Sequence, residues 1–176
     1  MTNQERSEAR ARPSLATLWL VPVVIALDQV SKQVVVNTLD LHAPIDVVGS
    51  IVRLTYIHNP GAAFGLKIGS AGIHLIVSLV ALGVLIWLFR GLPSEARLLR
   101  TAFSMVVGGA LGNIIDRVHL DAGVIDFVDV GIGEWRWPVF NVADSFVTVG
   151  IILLAFGYYW QRDESASAGD AGHDSV

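Results

Sequence analysis

Four long apolar stretches, separated by polar segments, are the main feature of the pattern of hydrophobic positions along the chain. They cover approximately residues 15–36, 71–90, 98–116 and 139–160. Each stretch is close to the ~20 residues that an α-helix needs to cross about 30 Å of hydrocarbon. The pattern therefore predicts an all-α membrane protein in which residues 14–161 form a domain with four transmembrane helices.

Two longer connections, residues 37–70 between helices 1 and 2 and residues 117–138 between helices 3 and 4, contain β-prone segments. Residues 45–58 are rich in β-branched residues with partial alternation, and the turn-forming Asn59-Pro60-Gly61 follows them. A second β-prone run covers residues 124–130. We expect the first connection to form a small extracytoplasmic sheet, or β-cradle, and the second to lie along the membrane surface.

The distribution of arginines predicts how the helices are oriented. Arginines before helix 1, in the short link between helices 2 and 3, and after helix 4 all lie on one side: Arg6, Arg10, Arg12, Arg90, Arg97, Arg100 and Arg162. The positive-inside rule then places both termini in the cytoplasm and the two longer connections outside. Residues 1–13 and 162–176 have few apolar groups, so we expect them to be disordered cytoplasmic tails.

Composition excludes several classes of protein. With 53% hydrophobic residues, 16% charged residues and a mean hydropathy of +0.57, the chain is too apolar for a soluble domain of its size. It has no cysteine, which excludes disulfides, thiolate nucleophiles and iron–sulfur clusters. The net charge of -4 provides no basic surface for nucleic acid. The histidines have no metal-ligand spacing, so we expect neither a metal nor another cofactor.

Polar residues converge at the outer ends of three of the predicted helices. Helix 1 carries Asp28, Ser31 and Lys32, helix 3 carries Asn113, Asp116 and Arg117, and helix 4 carries Asn141, Asp144, Ser145 and Thr148. A carboxylate near hydrocarbon is costly unless it is paired, faces a wet cavity or takes part in chemistry. We therefore expect one shared polar pocket on the outer side, with Asp144 one to two turns inside helix 4.

Purely structural interpretations of these polar residues stay open. Asp28 and Lys32 fit an i, i+4 ion pair at a helix end, with the lysine directed outward. Asp116 and Arg117 fit a pair that anchors a helix or a loop, and we expect Arg117 to hold Asp116. Asp144 also fits a carboxylate that is held by Arg117.

Three further features of the sequence concern the site and the packing of the helices. Asp126 lies in the apolar string 124–128, but Asp121 and Asp129 are close rivals, and physical reasoning alone does not choose among them. Residues 59–65 fit either a simple turn or the lip of a binding site. Gly108 and Gly112 have the small-xxx-small spacing that allows helices to pack closely.

Five segments of the chain resemble the lipoprotein signal peptidases (signal peptidase II, aspartic peptidase family A8) in sequence, order and spacing. They are Asp28-Gln29-Val30-Ser31-Lys32, Asn59-Pro60-Gly61-Ala62-Ala63-Phe64, Gly112-Asn113-Ile114-Ile115-Asp116-Arg117, Val124-Ile125-Asp126-Phe127 and Phe140-Asn141-Val142-Ala143-Asp144-Ser145. Together they extend over nearly all of the predicted folded domain, which makes the resemblance far more specific than any one segment.

The resemblance implies an aspartic endopeptidase of the bacterial inner membrane, with its active site at the extracytoplasmic face. It implies diacylglyceryl-modified prolipoproteins as substrates, cleaved just before the lipid-bearing cysteine, with membrane lipid around the enzyme and no nucleic acid. The implied catalytic pair is Asp126 and Asp144. The positions implied to shape the site or bind substrate are Asp28, Lys32, Asn59, Gly61, Asn113, Asp116, Arg117 and Asn141. We expect a monomer.

Two other classes of function are compatible with intramembrane polar residues. An ion or proton pathway would use Asp28, Lys32, Asp116 and Asp144 as relay groups. It requires polar residues at several depths, whereas the inner halves of helices 2 and 4 are almost wholly apolar. A non-catalytic assembly subunit would tolerate changes at both Asp126 and Asp144, so a prolipoprotein cleavage assay separates the three classes.

Overall fold

Four membrane-spanning helices account for most of the structure, a computed structural model that describes residues 15–61, 71–92 and 96–170. A 3₁₀ turn, Leu15–Trp19, leads into the first of the four helices, which are α1 (Leu20–Thr38), α2 (Ala71–Arg90), α3 (Arg97–His119) and α4 (Val142–Asp170). Within the described residues, all four are long and apolar enough to cross a membrane. The predicted four-helix membrane fold is confirmed.

The boundaries of the spans agree closely with those predicted from hydrophobicity. The apolar spans are Thr17–Thr38, Gly72–Arg90, Arg97–His119 and Val142–Tyr159. Helix α4 begins later than predicted, because Phe140 forms a bridge to Val128 in the sheet and Asn141 precedes the first helical turn. The same helix continues to Asp170, into the segment 162–176 that was predicted as a tail. Residues 171–176 and the predicted tail 1–13 lie outside the described residues.

A four-stranded antiparallel sheet caps one end of the helices. Its strands, in the order in which they pair, are β1 (Ile45–Val48), β2 (Val52–Asn59), β3 (Val124–Ile132) and β4 (Trp135–Arg136). The sequence predicts this sheet in the first connection only, but the second connection contributes β3 and β4. The pairing of β2 with β3 places Ile57 opposite Asp126 and Asn59 opposite Val124. It thus brings two of the predicted site residues, Asn59 and Asp126, onto neighbouring strands.

Helix α3 lies at the centre of the bundle and packs against α1, α2 and α4. Within an apolar segment of 18 residues in α3, 61% of the residues are buried, compared with 0% in the corresponding segment of α2. Helix α2 instead exposes large aliphatic side chains such as Ile76 and Val80. Exposed apolar side chains of this kind are expected where a helix faces lipid.

The glycines of α3 allow α1 to approach it closely, as their spacing predicts. A Cβ atom added to Gly108 would lie 2.8 Å from Cβ of Val24 and 3.2 Å from the carbonyl oxygen of Val21. A Cβ atom added to Gly112 would lie 2.6 Å from Oδ2 of Asp28. All three distances are shorter than van der Waals contact, so each position requires glycine for the helices to pack as they do.

Replacing Gly108 by alanine should therefore destabilise the bundle. We expect Gly108→Ala to lower the free energy of unfolding by about 1–3 kcal/mol, because the added methyl group overlaps Val24. Thermal unfolding of the detergent-solubilised protein measures the effect. Gly83→Ala in α2 is the matched control, because an added Cβ meets no atom within 4 Å there. Equal unfolding temperatures for the two variants would contradict this account of the packing.

Candidate active site

A buried ion cluster around Lys32 joins α1 to α3. Nζ of Lys32 lies 2.7 Å from Oδ2 of Asp28 and 2.8 Å from Oδ2 of Asp116, and it donates a hydrogen bond of 3.1 Å to Oδ1 of Asn113. The lysine side chain is only 2% exposed. The predicted ion pair with Asp28 is confirmed, but the prediction that Lys32 is directed outward is wrong, because the ammonium group has its partners inside the bundle.

The two carboxylates of this cluster extend it to α4 and to the sheet. The second oxygen of Asp28 accepts a hydrogen bond of 2.9 Å from the backbone N–H of Ala143, in the first turn of α4. A negative charge is favourable there because the helix dipole is positive at its N-terminus. Asp116 accepts a hydrogen bond of 3.1 Å from the backbone N–H of Ile125 in β3. Lys32 and its two partners thus connect three helices and one strand.

Asp116 pairs with Lys32, so the prediction that Arg117 holds Asp116 is wrong. Nη1 of Arg117 donates a hydrogen bond of 3.1 Å to the carbonyl oxygen of Asn113. The guanidinium interacts electrostatically with Asp144, then Asp126, and then Asp116. Arg117 therefore belongs to the surroundings of the two predicted catalytic aspartates.

Asn141 caps helix α4 and holds Asp144 in place. Its Oδ1 accepts a hydrogen bond of 2.9 Å from the backbone N–H of Asp144, and Oδ2 of Asp144 accepts one of 3.3 Å from the backbone N–H of Asn141. This reciprocal pair is a capping box, which satisfies two donors that a helix end otherwise leaves unpaired. Asp144 consequently lies in the first turn of α4, closer to the helix end than predicted.

Asp126 lies on β3 and is 2% exposed. Its Oδ2 accepts a hydrogen bond of 2.9 Å from Nδ2 of Asn59, and its Oδ1 accepts one of 2.7 Å from Nδ2 of Asn141. Asn141 therefore contacts both predicted catalytic residues, one through its amide nitrogen and the other through its amide oxygen. The remaining predicted amide, Asn113, donates a hydrogen bond of 2.7 Å to Oδ1 of Asp144.

Gly61 determines which way the amide of Asn59 points. The backbone N–H of Gly61 donates a hydrogen bond of 3.0 Å to Oδ1 of Asn59, so the NH₂ group of that side chain is directed to Asp126. Gly61 has a φ of +107°, a backbone conformation that glycine adopts readily and other residues rarely do. The rest of the predicted binding lip, residues 62–65, lies outside the described residues.

Asp126 and Asp144 line the same cavity, which has a volume of about 510 Å³. Asn59, Ser145 and Thr148 provide further polar groups, and the apolar wall consists of Trp137, Pro138, Val139, Phe140 and Val149. The rivals Asp121 and Asp129 do not line this cavity. Asp129 instead forms an ion pair of 2.6 Å with Arg136 and accepts a hydrogen bond from Thr55.

The surroundings of Asp126 favour its protonated form. Burial, and to a smaller extent the negative charge of Asp144, raises the pKa of Asp126 to about 7, although the hydrogen bonds from Asn59 and Asn141 lower it. A carboxyl group with such a pKa holds its proton at a pH where an ordinary aspartate is ionised. Two neighbouring carboxyl groups in different protonation states are what acid–base hydrolysis requires.

One residue of the cluster was not among the predicted site residues. Nε2 of Gln29 lies within 3.2 Å of both Oδ2 of Asp28 and the carbonyl oxygen of Gly112, and 3.0 Å from Oδ1 of Asp116. The signal was present, because Gln29 lies in the first of the resembling segments. The site residues that were predicted on α1, α3, α4 and the sheet all take part in the hydrogen-bonded network described above.

The fold and the cavity define a multi-pass membrane protein in which the carboxyl groups of Asp126 and Asp144 line one cavity. A model of the family described as "Signal peptidase (SPase) II" matches residues 20–160. The chain therefore belongs to the signal peptidase II family, and it is a bacterial membrane enzyme of the aspartic protease class. The predicted resemblance and the predicted enzyme class are confirmed.

Individual relatives cover most of the chain. The lipoprotein signal peptidase of Moorella thermoacetica is 39% identical over 139 residues, which are 79% of this chain and 89% of that protein. That of Pseudomonas syringae pv. tomato is 40% identical over 162 residues, which are 89% and 92% of the two chains. A solved structure, described as a bacterial membrane enzyme determined by the in meso method at 2.3 Å resolution, is 30% identical with a TM-score of 0.74. The match covers 85% of this chain and 90% of that one.

Removing the charge of Lys32 should unfold or strongly destabilise the protein. Lys32→Met leaves Asp28 and Asp116 buried without their cation, and breaking a buried pair in this way costs about 3–5 kcal/mol. The unfolding temperature in detergent measures the loss.

The matched control is Arg53→Met, which breaks an ion pair with Asp46 that is also 2.7 Å long. Its side chains are 29% and 57% exposed, so we expect a loss of at most about 1 kcal/mol. Similar losses in the two variants would contradict the assignment of Lys32 as the structural centre of the site.

Proposed function

We propose that the chain removes the signal peptide from diacylglyceryl-modified prolipoproteins by cleaving just before the lipid-bearing cysteine, with Asp126 and Asp144 as the catalytic pair. The observation that carries the proposal is that both carboxyl groups line one cavity and accept hydrogen bonds from the same residue, Asn141. The shared name of the relatives, lipoprotein signal peptidase, supports the class of substrate.

The two aspartates have different roles in the proposed reaction. Asp144 is the ionised member and takes a proton from water as the water oxygen attacks the scissile carbonyl carbon. Asp126 is the protonated member, and its O–H donates a hydrogen bond to the oxyanion that forms. Proton transfer to the cysteine nitrogen then breaks the C–N bond. The products are a carboxylate on the signal peptide and a free amine on the lipidated cysteine.

Neutral amides hold the catalytic pair in position. Asn59 and Asn141 donate to Asp126, and Asn113 donates to Asp144. Amides carry no net charge, so they fix the positions of the carboxyl oxygens. A cation in the same place would in addition strongly stabilise the ionised form of each carboxyl group. Two cations contact this set of amides: Lys32 donates to Oδ1 of Asn113, and Arg117 donates to the carbonyl oxygen of the same residue.

The position of the cavity supports selection of a lipid-anchored substrate. Its apolar wall includes Val139, Phe140 and Val149, the last of which lies in the spanning part of α4. A substrate whose acyl chains lie in the same leaflet arrives already oriented, with an anchoring contribution of about 0.8 kcal/mol per buried methylene group. We infer that the active site is at the extracytoplasmic face, that both termini are cytoplasmic, and that the enzyme acts as a monomer surrounded by lipid.

An ion or proton pathway is less well supported. Between Ser104 and Gly112, helix α3 carries only Met, Val, Gly, Ala and Leu side chains. No relay group lies on this central helix over that distance, so the outer polar cluster has no continuation along it.

Asp126→Asn and Asp144→Asn should each abolish cleavage while the protein still folds. Each change removes either the proton donor or the base, and such groups contribute about 10²–10⁴-fold to rate. Cleavage of a purified diacylglyceryl-prolipoprotein in detergent measures the rate, and the unfolding temperature confirms the fold. Asp121→Asn is the control, because Asp121 lies in a turn outside the cavity and should keep wild-type activity. Wild-type rates for either catalytic variant would refute the proposed pair.

Activity should fall as pH rises above about 7, because the pKa of Asp126 is raised to about 7 and the ionised residue no longer donates to the oxyanion. The reaction also requires an ionised base, so kcat/KM against pH should be bell-shaped. In Asn59→Ala the alkaline limb should move to higher pH, because the hydrogen bond from Asn59 lowers the pKa of Asp126. A profile that stays flat through pH 9, or a limb that moves to lower pH in Asn59→Ala, would be inconsistent with this assignment.

A further inference from the structure

Arg100, in the first turns of α3 at the end of the bundle away from the candidate active site, is a buried cation with few partners. It is 4% exposed. Its Nε atom is buried and has no hydrogen-bond acceptor, and its Nη1 atom lies 3.4 Å from the carbonyl oxygen of Leu92, at the limit of a hydrogen bond. The guanidinium stacks over the ring of Phe89 at 4.5 Å. Among the described residues, no carboxylate forms an ion pair with it.

A buried guanidinium in this state requires an anion. Stacking on an aromatic ring stabilises the cation in part, but it provides no acceptor for the N–H groups. In a low-dielectric environment, the unpaired charge and the unsatisfied donor are both unfavourable. Lys32 shows the contrast, because it is equally buried but contacts two carboxylates and an amide oxygen.

An apolar cavity of about 320 Å³ is lined by Phe89, the ring on which Arg100 stacks. Its walls come from the 3₁₀ turn, α2 and α3, and they consist of Leu18, Ile86, Phe89, Arg90, Phe103, Ser104 and Val107. Phe89 both lines the cavity and stacks on Arg100. Phe103 and Ser104 follow Arg100 by three and four positions, so they lie on the same face of α3, one turn deeper in the membrane.

Among the residues that the structure describes, the charge pattern around this cavity is one-sided. Residues 15–27, 71–89 and 101–115, which form the described membrane-embedded walls, contain no acidic or basic residue other than His74. The charged residues of α2 and of the first turns of α3 are Arg90, Arg97 and Arg100, and all three are cationic. The site therefore combines an apolar interior with a cationic mouth.

We propose that this cavity binds an anionic phospholipid of the leaflet at that end of the bundle. One acyl chain occupies the apolar interior, and the phosphate lies at the mouth against Arg90 and the guanidinium of Arg100. A free phosphate ion would use the arginines but not the apolar walls. A zwitterionic lipid would bring a second positive charge to a mouth that is already cationic, so a lipid with net negative charge fits best.

The test measures lipid binding to the full-length protein in dodecyl maltoside micelles, by native mass spectrometry and by thermal unfolding. The added probes are dioleoylphosphatidylglycerol, dioleoylphosphatidylcholine and inorganic phosphate. We expect the wild-type protein to bind phosphatidylglycerol about tenfold more tightly than phosphatidylcholine, and phosphatidylglycerol alone to raise the unfolding temperature appreciably.

Variants distinguish this site from general attraction of anionic lipid. Arg100→Gln and Arg90→Gln should each reduce the preference for phosphatidylglycerol to near one, and exposed Arg90 provides the test if Arg100→Gln fails to fold. Ile86→Trp, which fills the cavity, should weaken the binding of both lipids. Arg53→Gln, at the opposite end of the protein, is the control and should keep the preference.

Three results would overturn the proposal. The first is equal binding of the two lipids by the wild-type protein. The second is a preference that survives in both Arg100→Gln and Arg90→Gln. The third is an increase in unfolding temperature by inorganic phosphate that equals the increase by phosphatidylglycerol, because this would indicate an anion site that does not use the cavity.

Discussion

The ion cluster around the buried Lys32 is the interaction on which the end of the bundle that carries the sheet depends. A charge in a medium of low dielectric is retained only with good partners, and Lys32 has Asp28, Asp116 and Asn113 within 3.1 Å. Each carboxylate also accepts a backbone N–H, from Ala143 in α4 and from Ile125 in β3. These two backbone positions immediately precede Asp144 and Asp126. The ion cluster therefore fixes the chain directly beside both members of the proposed catalytic pair.

A second layer separates the charged cluster from the cavity. It consists of asparagine side chains, and Asn141 is the central one because its amide contacts Asn113, Asp126 and the first turn of α4. The asparagine amides connect Lys32 to the two aspartates by hydrogen bonds. The cations Lys32 and Arg117 are not themselves part of this layer. This arrangement lets burial dominate at Asp126 and keeps its pKa near 7. A lysine or arginine in direct contact with Asp126 would favour the ionised carboxylate and remove the proton donor.

Local patterns predicted the helices and much of the site, and contacts between distant segments explain the rest. The four spans follow from hydrophobicity alone, and the pair of Asp28 with Lys32 follows from i, i+4 spacing. The choice of Asp126 over Asp121 and Asp129 depends on the register of β2 with β3, which joins residues about 70 positions apart. No local signal reports such a register. The partner of Asp116 was missed for the same reason, because adjacency suggested Arg117 and only the packing of α1 on α3 brings Lys32 close.

The two ends of the bundle differ in the partners that they provide for a buried positive charge. At the end that carries the sheet, the described partners of Lys32 all belong to the protein, so contacts within the protein fix the geometry of the proposed catalytic pair. At the other end, Arg100 has an aromatic ring and one distant carbonyl oxygen as its described partners. No reacting groups need to be held in register there, so the membrane itself can complete the site. A protein of 176 residues can thus reserve its few buried carboxylates for the end where chemistry requires fixed positions.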